Sequence, residues 1–70
     1  MNLVIKKAVS IVGSQQKLAN LCGVSQPAVN KWLRGGRVAP ERVQAIVNAT
    51  EGKVKAHEIR PDLPHMFPAI

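Results

Sequence analysis

Gln26, Asn30, Lys31 and Arg34 set two amides and two cations at helical intervals within nine residues. Residues four and eight apart lie on one side of a helix, so this group would project as a single row. The chemistry such a row supports is recognition of base edges. An amide side chain matches the paired donor and acceptor of adenine, and Arg or Lys matches the two acceptors of guanine. Ser25 and Pro27 stand beside Gln26 at the start of the same segment. A helix that enters a major groove by its N-terminus brings those positions deepest. The candidate base contacts are therefore Ser25, Gln26, Pro27, Asn30, Lys31 and Arg34, with Gln26 foremost. The competing reading, a merely solvated polar face, explains each residue singly but not the row together with the turn and helix that precede it.

A second polar set lies just upstream: Gln15, Gln16, Lys17 and Asn20. Gln15 would open a helix, where unpaired backbone N–H groups and the helix dipole favour an anion. These residues, with Arg37, are expected to position a phosphate backbone rather than to read sequence. For Lys17 alone, an ordinary surface lysine is an equally good account. Lys6, Lys7 and Arg37 are expected to contribute general attraction.

The distribution of charge supports a polyanionic partner. The chain carries a net +6, and all of the excess belongs to residues 1–40, which hold six Lys and Arg and no acid. Residues 41–70 hold four bases against four acids. Double-stranded DNA fits this better than a membrane surface, since no basic helix backs onto an aromatic-rich apolar face. RNA is a weaker fit because single-strand binders usually present aromatics, and Trp32 falls on the inward side of its segment. Cys22, the one cysteine, precludes an internal disulfide and a multi-cysteine zinc site, and suits a reducing, cytoplasmic setting. His57 and His65 lack neighbours at ligand spacing. No cofactor, metal site or catalytic constellation is expected.

The elements that would carry these residues follow from periodicity and punctuation. Ile5, Ala8, Val9 and Val12 fall on one face of a first helix, closed by Gly13. Ser14 caps a second helix from Gln15 to Leu21 or Cys22, which buries Leu18, Ala19 and Cys22. Gly23 supplies the turn, Val24 fills the apolar gap, and Ser25 caps a third helix whose inner side is Ala28, Val29, Trp32 and Leu33. Pro27 suits its first turn, and Gly35-Gly36 ends it. Pro40 opens a fourth helix with Val43, Ile46 and Val47 inward, and Val54 to Ile59 adds a short fifth.

The run SQQKLANLCGVSQPAVNKWLR, with small Ala19, Gly23 in the turn, and Val29 and Trp32 facing inward, resembles the phage Cro/repressor helix-turn-helix family. Residues 1–63, ending in VKAHEIRPDL, resemble its small YdaS-like Cro-type regulators. The resemblance implies an all-α, five-helix bundle of the lambda-repressor-like DNA-binding type. It also implies homodimers on palindromic operators and repression of nearby promoters, often in prophages. Some YdaS-like proteins are antitoxin-like regulators, which implies a protein partner.

The chain divides into a helix-turn-helix domain at 1–60 and a proline-rich apolar tail at 61–70. Pro61, Pro64 and Pro68 bar helix and central strand there, leaving an extended segment as the regular option. Leu63, Met66, Phe67 and Ile70 make the tail apolar. It is expected to fold back on the helices or to serve as a dimer arm. A clamp on a partner protein, in an antitoxin-like interaction module, is the rival reading.

Overall fold

A computed structural model describes residues 2–68. These form five helices and no strand: α1 (Leu3–Val12), α2 (Gln15–Cys22), α3 (Gln26–Leu33), α4 (Pro40–Ala49) and α5 (Ala56–Ile59). The all-α bundle expected from sequence is the observed architecture. None of these helices is long and apolar enough to cross a membrane.

Each helix that carries the polar rows is held at its ends by identifiable bonds. The Asn2 side-chain oxygen accepts from the Val4 and Ile5 amides at 3.0 and 3.2 Å, so the first α1 amides are not left bare. The Asn2 amide in turn donates to the Leu33 carbonyl at 2.8 Å, pinning the start of α1 to the end of α3. Ser14 Oγ accepts from Lys17 N at 3.1 Å, and Ser25 Oγ from Ala28 N at 3.4 Å. Between α2 and α3 the chain reverses through Gly23, whose φ of 69° lies in the left-handed region that a side chain would strain. Gly23 and Val24 close the turn by donating to the Asn20 and Ala19 carbonyls.

The core runs through all five helices: Ile5, Ala8 and Val12; Leu18, Ala19 and Cys22; Val29 and Trp32; Val43 and Ile46; and Ile59. Helix α2 packs against α1, α3 and α4, and fully buried Ala19 leaves room for that approach. Three contributors come from outside the periodic stretches. Val38 and Val54 are buried in connecting segments, and α5 begins at Ala56 rather than at Val54 as expected. Thr50, fully buried, donates its hydroxyl to the Ile46 carbonyl at 3.0 Å and accepts from the Val54 amide at 3.2 Å. That bond fastens the α4–α5 turn to the end of α4.

The tail departs from the expected extended path. The Leu63 carbonyl accepts from the Met66 and Phe67 amides at 3.2 and 2.9 Å, making a single tight turn. Prolines remove donors only at their own positions, and Pro64 occupies the place in a turn where its fixed φ fits. The turn carries Phe67 back onto the core, half-buried, and leaves Met66 exposed. Ile70, expected with them, lies outside the described residues.

Candidate nucleic-acid interface

Helix α3 buries Val29 and Trp32 and turns its other side outward. Ser25, Gln26, Pro27, Lys31 and Arg34 are exposed, and Asn30 is half-buried among them. The expected row therefore stands on one side of one helix. Its far end is set by the amides of Arg34, Gly35 and Gly36, which donate to the carbonyls of Asn30, Trp32 and Lys31. A Cβ at Gly36 would lie 2.8 Å from the Lys31 carbonyl oxygen, so the chain passes closer there than any side chain permits.

The second polar set divides. Gln15, half-buried at the start of α2, shares a hollow with Gln26, Pro27 and Asn30, so α2 and α3 present one continuous amide-rich surface. Gln16 and Asn20 are exposed and bonded to each other, Nε2 to Oδ1 at 2.9 Å, one turn apart on α2. Lys17 does not join the α3 row. It faces the other way, into a hollow with Ile11, Leu21 and Ala49. Arg37 is exposed on the loop after α3, near enough to Asp62 to stabilise its charge.

Two features escaped the sequence reading. Lys6 of α1, expected only as a diffuse attractor, lines a cleft with Gln15, Asn30 and Arg34. Its period with Val9, which shares that cleft, was a signal: three positions on, α1 turns from the core toward α3. The other is Arg60, buried although charged. Its Nη1 donates to the Val38 carbonyl at 2.7 Å, while Nε and Nη2 grip both oxygens of Asp62 at 3.0 and 2.8 Å. This clasp ties the start of the tail to the loop bearing Arg37. Hydrogen bonding from Arg60 pulls the Asp62 carboxyl down to about 2, and the same bond raises Arg60. The Arg-x-Asp spacing was visible in the sequence, but its target, a carbonyl 22 positions away, was not.

Cys22 is buried, and that burial pushes its thiol up against a smaller downward pull from Arg42. It packs as a small hydrophobe rather than standing ready as a thiolate.

Two adjoining helices with a glycine turn, the second carrying an outward polar row, define a helix-turn-helix of the Cro type. The fold is similar to that of the Cro protein from Xfaso 1, an element assigned as a prophage in Xylella fastidiosa strain Ann-1, with a TM-score of 0.81 and 41% identity over 90% of this chain and 95% of that one. Residues 5–66 match the profile of the family described as Bacterial toxin YdaS, and the chain belongs to that family. It is also 48% identical over 63 residues to a protein of Escherichia coli K12 provisionally named transcriptional regulator YdaS, a match that takes in 89% of this chain. The chain spans 64% of the length of that relative.

Proposed function

We propose that the protein is a sequence-specific regulator of transcription that binds double-stranded DNA as a homodimer, Cro-like, inserting α3 into the major groove of a palindromic operator. The observation that carries this reading is the exposed row of Gln26, Lys31 and Arg34 with Asn30 on α3, continuous with Gln15 at the start of α2. Ser25, Gln26, Pro27, Asn30, Lys31 and Arg34 read bases in this scheme. Gln15, Gln16, Asn20, Lys17 and Arg37 hold phosphates, Lys17 from the flank. Residues 1–60 act as the DNA-binding unit and 61–70 as a tail packed against it. Kinship with a provisionally named transcriptional regulator and with a prophage Cro protein supports the regulator class; repression and a cytoplasmic site of action are parts of the proposal.

Selection of bound sequences from a random duplex pool tests the proposal. Recovery of an inverted repeat is the expected result, and recovery of no preferred sequence would sink it.

A second reading, an antitoxin-like module that binds a protein partner through its tail and autoregulates its operon, draws on exposed Met66. Phe67 is already engaged with the core, which shrinks the surface a clamp would use. Removing residues 64–70 distinguishes the two. Loss of stability or self-association marks an internal role, and unchanged behaviour of both, with loss of a co-purifying protein, marks the external one.

A further inference from the structure

One cleft among the described residues lies beside the α3 row yet is not shaped like a phosphate seat. It measures about 610 Å³ and opens between α1, the start of α2 and α3. Half-buried Val9 and Leu33 give it an apolar floor, half-buried Gln15 and Asn30 share that depth, and exposed Lys6 and Arg34 form its rim. A phosphodiester, hydrated on every side, would lay charged oxygen over that apolar floor and gain nothing from it. A volume within the range of small-molecule sites, an apolar base and a few convergent polar groups describe a ligand pocket instead. The rim specifies the sign of the ligand. Two cations and two amides line the cleft and no acid does.

From this we infer that the cleft binds a small amphipathic anion, a carboxylate or sulfonate on a hydrocarbon or aryl body, with the head on Lys6 and Arg34 and the body on Val9 and Leu33. Bound there, the ligand occupies the Gln15, Asn30 and Arg34 side chains that the proposed reading assigns to DNA. Ligand and DNA would then exclude each other by direct competition for the same groups, and no conformational change is required. The binding stands on the cleft alone, whereas the competition rests on the proposed DNA reading.

Titration of the full chain with octanoate, followed by the methyl resonances of Val9 and Leu33 and the side-chain amides of Gln15 and Asn30, tests the binding. Saturable shifts confined to these groups are expected. Octanol, which lacks the charge, and inorganic phosphate, which lacks the body, should each bind at least about tenfold more weakly, as should Lys6→Ala and Arg34→Ala variants with octanoate, because each loses one charge-assisted contact or the apolar one. Lys6 and Arg34 are exposed, so circular dichroism of both variants should match the parent. Octanol or phosphate binding as well as octanoate would overturn the inference, and so would shifts centred on the Leu21 and Ala49 hollow. Displacement of a selected duplex by octanoate is then expected. Octanoate binding without displacement would refute the competition while leaving the pocket. A protein that binds octanoate but no duplex would refute the DNA reading and leave the pocket standing.

Discussion

Gln26 and Lys17 are polar, exposed and nine residues apart, yet they have different neighbours, and the proposed reading gives them different work. Gln26 stands at the leading end of α3 beside Asn30, whereas Lys17 sits on the far flank of α2. Gln26→Ala should change which bases are preferred at its contact, at a cost of about 1–3 kcal/mol on the best site. Lys17→Ala should weaken all duplexes alike and lower the salt dependence of binding by about one charge. Equal losses across a panel of duplexes for both variants would refute this division. Asp62 provides a separate residue-scale test, in acid. Its carboxyl is held at about 2 against an ordinary 3.8, so the unfolded chain binds this proton first. The stability it contributes is complete above about pH 4 and drains away as pH falls toward 2. Asp62→Asn should flatten that part of the stability curve, read by denaturant unfolding between pH 5 and 2, while also lowering stability at neutral pH. An unchanged acid limb would show that the Arg60 clasp adds nothing to folding.

Among the elements, α2 and α3 are eight residues each, marginal alone, and depend on packing against their neighbours and on the bonds at their ends. Ser14→Ala removes the hydroxyl that caps Lys17 N and should cost about 1 kcal/mol in chemical denaturation. Gly36→Ala must push a methyl group against the Lys31 carbonyl and should cost about 1–3 kcal/mol, as overpacking does elsewhere. If Gly36→Ala proves neutral, the close passage after α3 is not as drawn. These same caps explain why the helices were legible from sequence. Ser14, Ser25, Pro27, Gly23 and Pro40 are local signals, each acting within a turn of its own position. The outward row on α3 was legible for the same reason, being a matter of period. Two of the features that stayed hidden involve distant partners, Arg60 reaching Val38 and Lys6 sharing a cleft with Arg34. The third, the Thr50 hydroxyl, is bonded only within four positions to either side and was hidden because a buried polar group does not follow the apolar period. The tail was misjudged as extended because proline arithmetic counts lost donors and not the two amides, Met66 and Phe67, that remained to close a turn.

At the scale of the whole molecule, size decides how many copies the proposed reading needs. The described residues span 30 Å along their longest axis and present one α3. Successive major-groove openings on one side of DNA are separated by roughly 34 Å, so a single chain cannot engage two of them. One short helix with a handful of contacts gives limited affinity, and a two-fold pair gains because its second half-site is bound at high effective concentration. The consequence is a strict dependence on spacing. An inverted repeat with half-sites one helical turn apart should bind far more tightly than a single half-site. Inserting about half a turn, roughly five base pairs, turns one half-site to the opposite side of the duplex and should return affinity to the single-site level. Gel-shift titrations of the three duplexes at fixed salt, with stoichiometry by analytical ultracentrifugation, make the comparison. Two chains per intact repeat and one per half-site are expected. Affinity indifferent to the insertion would mean that each chain binds on its own, and the two-fold arrangement would have to be abandoned even if α3 still reads the groove.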